Sequence, residues 1–525
     1  MPRSRSVSAL LFVPLAASCA GRQDTPVPTA PPASAHVGAP QPARELAVHA
    51  SPARRPRSEL ADIGTCDEGS AQRGVARFTV AHFNDLQARY NDRIDGRSRY
   101  AYLAGYLRGL KASVPSTLVL DAGDDYEKGS LAELRTMGES TRQMIQALPI
   151  DVRTIGNHDF AYGEAAVLRD VRLSAHPVLA ANVRWDGAAS DAEQPFVPFV
   201  MVKVGCVRVG VVGLVTQGYG ADDQPSREPF CGVFRQDPRY AEELSRQVKA
   251  HRAEVDVMIA LTHTGLGEDI ALAQGVSGVD LVVGAHTEDL LRAPGLAQRA
   301  DGTRGWVLQA GHYGHTVGRA DLVFDPRTRA VSFESYRIVD VDGSLPHDDD
   351  VADLAANLER DAEPDLHAVI ASVRGEKKPG RDMSDLLFKA VANAWGADAL
   401  VVGRDVFWEG LPRGPITLDR LYRSVLVQRE PAGTSGFTSL YLVDVKGDEL
   451  LGLRARAGPM YDVYLPTALN PKRTYRVAME KRAYTYPFLA WAGRASVPGG
   501  RFGGEIIDVL ERHARMRAAE GLSID

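Results

Sequence analysis

The sequence predicts an α/β protein with a large layered domain followed by a smaller α/β domain. Its 525 residues suffice for two or three domains that each bury a core of their own. The apolar fraction is 44% and the charged fraction is 24%, as in ordinary soluble globular proteins. From residue 75 onwards, apolar strand-like runs alternate with helical patterns, and this alternation is typical of an α/β domain.

The strongest strand signal is Val207–Val215, a nearly continuous apolar run of the kind that is buried on both faces of a sheet. Arg99–Leu110 and Arg239–Arg252 have the residue spacing of helices. The net charge of −6 is small for this length, and the sequence contains no long basic run. We therefore expect no nucleic acid polymer as a partner.

The first 19 residues have the pattern of an export signal. Arg3 and Arg5 precede the apolar run Ala9–Ala17, which is too short to span a bilayer. The run ends in LAASC at positions 15–19, which is similar to the lipobox of bacterial lipoproteins, although its leucine lies one position too early. Ordinary cleavage is the alternative to lipidation of Cys19. In both cases we expect export, to the bacterial periplasm or to the outer membrane through a lipid tether.

Composition and helical pattern divide the rest of the chain into four segments. Residues 20–70 are rich in Pro, Ala and Ser and are expected to form a disordered tether. A large domain is predicted for residues 71–345 and a smaller one for residues 383–525. Residues 346–382 are predicted to be a linker with a charged helix from Asp348 to Arg374.

The four cysteines are too few for a disulfide scaffold. If Cys19 carries lipid, three thiols remain. Export permits one disulfide, and we expect it between Cys206 and Cys231, with free buried thiols as the alternative.

Five polar clusters each follow a predicted strand of the large domain. They are Asp85-Leu86-Gln87, Gly123-Asp124, Gly156-Asn157-His158-Asp159, Thr262-His263 and Gly284-Ala285-His286-Thr287-Glu288. Strand-end loops on one side of a sheet converge, and open α/β folds bind their ligands there. Carboxylate, amide and imidazole groups together suit divalent ions such as Mn, Fe or Zn. Each residue taken alone is explained equally by a turn or a core position, but the ordered set indicates a metal site.

The order and spacing of these clusters resemble those of the calcineurin-like metallophosphoesterases. The most similar branch contains the secreted 5'-nucleotidases and 2',3'-cyclic-nucleotide phosphodiesterases, together with a thiosulfohydrolase of sulfur oxidation. The resemblance covers Phe78–Asp325 with specific motifs and the remainder to Glu520 more weakly. It implies a four-layer domain, in which a two-layer β-sandwich is flanked by helices, and a smaller C-terminal domain that contributes to substrate binding.

The resemblance also implies two divalent metal ions, Mn, Fe, Zn or Mg, and a role for each strand-end residue. Asp124 would bridge both ions. The remaining ligands would be Asp85, Gln87 and Glu288 around the first ion, and Asn157, His263 and His286 around the second. Such a pair clamps the attacking and leaving oxygens of an in-line displacement. His158 would stabilise the developing charge or protonate the leaving oxygen, with Asp159 beside it as a second catalytic candidate.

The chain departs from the family pattern at four positions. Gln87 replaces a histidine, and Glu288 replaces a glutamine or histidine. The two changes replace a nitrogen donor by oxygen donors at the first ion, which favours a harder ion such as Mn or Mg. Ala161 stands where the family has an aspartate that orients the histidine, so we expect a weaker general acid. Trp408 stands where the family has a phosphate-binding arginine.

Arg404, Phe407 and Trp408 are our candidates for substrate binding. They precede a Gly-Pro-Ile-Thr turn at 414–417 that the C-terminal domain shares with the family. The resulting hypothesis is an exported metallohydrolase of phosphate esters, with nucleotides as the default substrate. Two rivals stay open: a catalytically silent relative that serves as a binding module, and a hydrolase of thiosulfonates or other small anions.

Overall fold

The computed structural model describes residues 60–66, 74–127, 129–216, 233–300, 302–425, 439–456, 461–480, 483–484 and 500–525. The predicted signal, most of the predicted tether, Cys19 and Cys231 lie outside these residues. Across the described ranges, no helix combines the length and the apolar character that a membrane crossing requires.

The N-terminal unit is built on two six-stranded sheets. Its strands are β1 (Ala76–Phe83), β2 (Arg93–Ile94), β3 (Arg97–Ser98), β4 (Thr117–Asp121), β5 (Val152–Thr154), β6 (Val178–Leu179), β7 (Val183–Trp185), β8 (Phe199–Val204), β9 (Val207–Val215), β10 (Phe234–Gln236), β11 (Val257–His263), β12 (Leu281–Val283), β13 (Gly295–Gln298), β14 (Arg304–Leu308), β15 (Thr316–Asp325) and β16 (Ala330–Asp340). Its helices are α1 (Arg99–Ser113), α2 (Leu131–Arg135), α3 (Glu139–Ala147), α4 (Glu164–Leu173), α5 (Tyr240–His251), α6 (Leu266–Gly275) and α7 (Asp349–Ala362).

These elements form four layers. The first sheet has the strand order β16-β15-β1-β4-β5-β6, and the second has the order β13-β14-β12-β11-β9-β8. One apolar core fills the space between the sheets, a second lies between the first sheet and α1, α3 and α7, and a third lies between the second sheet and α5 and α6. In β9, only Arg208 is exposed, as the continuous apolar run predicts. The predicted four-layer α/β fold is confirmed.

The C-terminal unit is a smaller α/β structure around a five-stranded sheet of order β21-β18-β22-β20-β23. Its strands are β17 (Val369–Val373), β18 (Ala399–Gly403), β19 (Gly414–Thr417), β20 (Ser439–Lys446), β21 (Tyr461–Tyr464), β22 (Thr474–Glu480) and β23 (Arg501–Glu505). Its helices are α8 (Arg381–Trp395), α9 (Leu418–Arg423), α10 (Gly447–Arg456) and α11 (Ile506–Ala519).

The predicted connector helix is shorter than its charge pattern suggested. Helix α7 ends at Ala362, and the residue after its C-cap is Pro364, which disfavours helical backbone before it. The chain then enters β17, which pairs with β19 of the C-terminal unit. The expectation of a helix reaching Arg374 is therefore wrong. The domain boundaries themselves stay predictions.

The two units share an apolar contact next to the strand ends. Leu131 and Leu134 of α2 belong to the same buried cluster as Leu421 and Tyr422 of α9. Close by, Nη1 of Arg423 lies 2.6 Å from Oδ1 of Asp92. Helix α9 is thus docked beside the loop that follows β1.

A disulfide joins Cys66 to Cys206, with their Cα atoms 4.4 Å apart. The expected Cys206–Cys231 pairing is therefore wrong. Two backbone hydrogen bonds explain the difference, because Ile63 donates to the carbonyl of Lys203 and accepts from the amide of Gly205, both at 2.8 Å. Residues 60–66 are thereby attached to the β8–β9 hairpin, so this end of the predicted tether is not disordered.

Replacing Cys66 with serine is expected to lower the free energy of unfolding by roughly 2–4 kcal/mol, because a cross-link over a long loop restricts the unfolded chain. Urea denaturation without reductant measures the change. Cys231→Ser is the matched control and is expected to leave stability unaltered. The opposite pattern, a loss in Cys231→Ser and none in Cys66→Ser, would contradict the observed pairing.

Candidate metal centre

The strand ends of both sheets meet at one edge of the sandwich. In the first sheet, β1, β4 and β5 are parallel neighbours, and Asp85, Asp124 and Asn157 follow them directly. In the second sheet, β11 and β12 are parallel, with His263 as the last residue of β11 and His286 just beyond β12. The parallel register therefore brings residues from five separate segments to the same edge.

Asp124, His263 and His286 form the tightest group at this edge. One ligand atom from each lies within 4.8 Å of the others, and among the described residues no other group of three or more His, Cys, Asp or Glu side chains meets this spacing. Oδ2 of Asp124 lies 3.0 Å from Nε2 of His263. Nδ1 of His263 lies 2.9 Å from the carbonyl of Ala122, which fixes the ring and directs Nε2 into the site.

The pKa shifts in this group come from burial and from opposite charges that lie next to one another. Burial alone would raise the pKa of Asp124, but the adjacent imidazoles, His263 first, place the pKa of this carboxyl far below its usual range. Burial alone would lower the pKa of His263, but the carboxylates of Asp124 and Asp85 raise it to about 10. Burial raises the pKa of Asp85 to about 8. Bound cations would stabilise the ionised form of such buried carboxyls.

Three further side chains with donor atoms for a metal lie at the same edge: Asp85, Gln87 and Glu288. Asp85 is fully buried, and its Oδ2 accepts hydrogen bonds from Asn84 at 2.6 Å and from the amide of His286 at 3.1 Å. Nε2 of Gln87 donates to Oε1 of Glu288 at 3.0 Å. In the part of the chain that the structure describes, Oδ1 of Asp85 and Oε1 of Gln87 are buried without a hydrogen-bond partner. Unsatisfied buried oxygens are costly unless a cation or a water meets them.

Backbone conformation explains why the loops can approach so closely. Asp85, Gln87, Asp124, His286 and Glu288 all have positive φ angles, between 45° and 77°. Non-glycine residues rarely adopt this region, and such strain concentrates at functional sites.

A glycine is required where the loops touch. A Cβ atom on Gly156 would lie 2.0 Å from Oδ1 of Asp124 and 2.7 Å from Cε1 of His263. A side chain at position 156 would therefore prevent the close approach of these loops. Asn157 follows this glycine, is 3% exposed and begins the short 3-10 turn His158–Phe160.

His158 lies between the metal-site donors and a carboxylate that the sequence analysis missed. Its backbone N donates to Oδ1 of Asp124 at 2.8 Å, and its Nε2 lies 3.9 Å from Oδ2 of the same residue. Its Nδ1 contacts Oε2 of Glu127, whose side chain is 1% exposed. Glu127 was present in the run Asp124-Asp125-Tyr126-Glu127, but sequence spacing alone does not show which acid faces the histidine.

Asp159 connects two of the loops at this edge. Its carboxylate accepts backbone hydrogen bonds from Asp124 at 3.0 Å, from Asp125 at 3.1 Å and from Gly156. It therefore ties the loop after β4 to the loop after β5, and its catalytic role stays a prediction.

A buried arginine lies beneath the same loops. Arg153 is fully buried, and its guanidinium lies 3.0 Å from Asp170, 3.5 Å from Asp125 and 3.8 Å from Asp159. Removing one member of such a buried charge group is costly, so the group holds the loops in a defined position.

The three candidates for substrate binding lie in different environments of the C-terminal unit. Nε of Arg404 donates to Oδ1 of Asp462 at 2.9 Å. Phe407 is 3% exposed and belongs to the apolar core. Trp408 is 41% exposed. The roles of all three residues in substrate binding stay predictions.

The sandwich and its donor set form a candidate site for divalent cations. The family model of the calcineurin-like phosphoesterases matches residues 78–288. The matched residues include every strand-end donor from Asp85 to Glu288.

Several similar proteins are named 5'-nucleotidases, and a solved structure shares the fold. A snake venom 5'-nucleotidase of Gloydius brevicauda is 29% identical over 311 residues, which cover 54% of this chain and 52% of the relative. A 5'-nucleotidase of Homo sapiens is 28% identical over 323 residues, which cover 56% of this chain and 54% of the relative. The matches thus span about half the length of these relatives. The structure of a 5'-nucleotidase precursor from Thermus thermophilus has the same fold, with a TM-score of 0.65, 20% identity and coverage of 84% of this chain and 96% of that one.

Proposed function

We propose that this protein is an exported hydrolase of phosphate esters that binds two divalent cations and acts on nucleoside 5'-monophosphates. The observation that carries the proposal is the meeting of Asp124, His263 and His286 at the ends of parallel strands from two sheets. The branch of relatives named 5'-nucleotidase supports the substrate class. The N-terminal signal pattern and a relative from snake venom support export.

The residues at the strand ends fit a pair of divalent cations. Unpartnered buried oxygens on Asp85 and Gln87 and the raised pKa of the buried Asp85 carboxyl are the features that a cation would satisfy. We assign Asp85, Gln87, Asp124 and Glu288 to the first cation, and Asp124, Asn157, His263 and His286 to the second. When bound, the cations supply positive charge to the attacking and leaving oxygens of phosphoryl transfer.

We assign the proton transfer of the reaction to His158. Its Nε2 faces the side on which Asp124 lies, whereas its Nδ1 contacts the buried Glu127. A carboxylate at Nδ1 fixes the orientation of the ring. Nε2 would then donate a proton to the leaving oxygen of the ester. Glu127 acts on the reaction through His158 and is a positioning residue, taking over the function that the family gives to an aspartate at position 161.

The Glu127→Gln variant is expected to lower kcat by roughly 10- to 100-fold, because the partner of a functional histidine tunes its orientation and basicity. KM and the amount of bound metal are expected to stay unchanged, since Glu127 is not among the assigned ligands. Steady-state kinetics and metal analysis measure both. Glu139→Gln is the matched control, because Glu139 pairs with Arg142 instead. An unaltered kcat, or a loss of metal in Glu127→Gln, would contradict the assignment.

Turnover of a substrate panel tests the proposed function. The full-length protein, loaded with Mn²⁺, is expected to release phosphate from nucleoside 5'-monophosphates and from chromogenic phosphomonoesters. Turnover of a thiosulfonate, with none of any phosphate ester, would favour the small-anion hydrolase. No turnover together with no bound metal would favour a binding module and would overturn the proposal.

A further inference from the structure

A turn between β14 and β15 lies against the donors assigned to the first cation. Nδ2 of Asn84 donates to the carbonyl of Gly311 at 2.6 Å, which attaches this turn to the loop after β1. The backbone N of Tyr313 donates to the carbonyl of Asp85 at 2.7 Å. His312 lies between these two anchored residues, so its backbone position is fixed beside Asp85.

The side chain of His312 faces the same donors. Its Nδ1 lies 3.4 Å from Oε2 of Glu288. The other oxygen of Glu288 accepts the hydrogen bond from Gln87. The imidazole therefore lies beside Glu288, which is itself hydrogen-bonded to Gln87, and both residues are assigned to the first cation. With 36% of its side chain exposed, His312 is not required for packing in the core.

We propose that His312 is a ligand of the first cation and supplies the nitrogen donor that position 87 lacks. The proposal rests on the proposed function, because it concerns one of the two cations assigned there. A cation beside Glu288 would meet the unpartnered oxygens of Asp85 and Gln87 on one side and the imidazole on the other. Such a mixed set of oxygen and nitrogen donors is suited to first-row transition ions.

The proposal changes the expected metal preference. Because position 87 carries a glutamine instead of the family's histidine, the sequence predicts that the first site prefers a hard ion such as Mn²⁺ or Mg²⁺. With His312 as a ligand, the first site retains an imidazole, so its affinity for Zn²⁺ depends on this side chain more strongly than its affinity for Mn²⁺.

Equilibrium dialysis of the metal-free full-length protein tests this inference. Wild-type protein is expected to bind two equivalents of Zn²⁺ or Mn²⁺. His312→Gln is expected to retain one tight equivalent, at the group of Asp124, His263 and His286. It should bind the other at least about 10-fold more weakly, with a larger loss for Zn²⁺ than for Mn²⁺. His315→Gln is the matched control, because the His315 ring lies 5.6 Å from that of His312 but its Nε2 lies 3.9 Å from Asp92.

The outcomes separate this proposal from the proposed function. Two equivalents bound to His312→Gln with unchanged affinity would overturn the role of His312 and leave the hydrolase proposal standing. An equal loss of Zn²⁺ and Mn²⁺ affinity would mean that His312 only supports Glu288, and it would also overturn direct ligation. A wild-type protein that binds no metal would overturn the proposed function itself.

Discussion

The phosphatase activity of the Asp124→Ala variant is expected to be lower than that of the wild type by roughly 10³-fold or more. The cations would stabilise the charge of the transition state by several kcal/mol, and this stabilisation depends on the ligands that hold them. The carboxylate of Asp124 contacts residues that belong to or follow strands of both sheets, with Oδ1 on the amide of His158 and Oδ2 beside His263. Its removal takes a shared ligand from both cations. We therefore expect less than one equivalent of bound metal, measured by elemental analysis after gel filtration.

Two controls make the Asp124 result interpretable. Asp124→Asn keeps the size of the side chain and removes its charge, and it is expected to be nearly as inactive as the alanine variant. Asp349→Ala removes a carboxylate that is 78% exposed and is expected to retain full activity and both metal equivalents. Circular dichroism and thermal melting check that each variant folds. A folded Asp124→Ala variant with wild-type metal content would contradict the assignment.

The second large effect is expected for His158→Ala, in which kcat should fall by roughly 10²- to 10⁴-fold, as for the loss of a general acid. Metal content is expected to remain at the wild-type level, because the His158 side chain is not among the assigned ligands. Stopped assays with a nucleoside 5'-monophosphate measure kcat, and elemental analysis measures the metal. This pattern differs from that of Asp124→Ala, in which both quantities fall.

A double-mutant cycle links His158 to Glu127. If Glu127 acts only through the ring of His158, Glu127→Gln lowers kcat in the wild type but has no further effect in the His158→Ala background. Additive losses would show instead that Glu127 supports the loop on which it lies, since its own amide donates to the carboxylate of Glu133.

The sequence predicted those parts of the fold and site that depend on periodicity and on strand order. The apolar run Val207–Val215 became a buried central strand with the predicted bounds. Asp124, His263 and His286 met because each ends or follows a parallel strand, and parallel strands bring their carboxyl ends to one edge. Topology alone suffices for this prediction.

The features that were missed depend on the path of individual loops. Glu127 contacts His158 from a loop in which residues 124 and 127 both adopt positive φ angles, which no spacing rule forecasts. The partner of Cys206 was misjudged because residues 60–66, which look like a tether in composition, pair with the β8–β9 hairpin.

The most direct test of the metal centre is an anomalous difference map from crystals of the full-length protein soaked in Mn²⁺. Two peaks are expected at the sheet edge, one beside Asp124, His263 and His286 and the other between Asp124 and Glu288. A map with no peak next to the Asp124 carboxylate would contradict the binuclear site, and with it the assignment of hydrolysis to these residues.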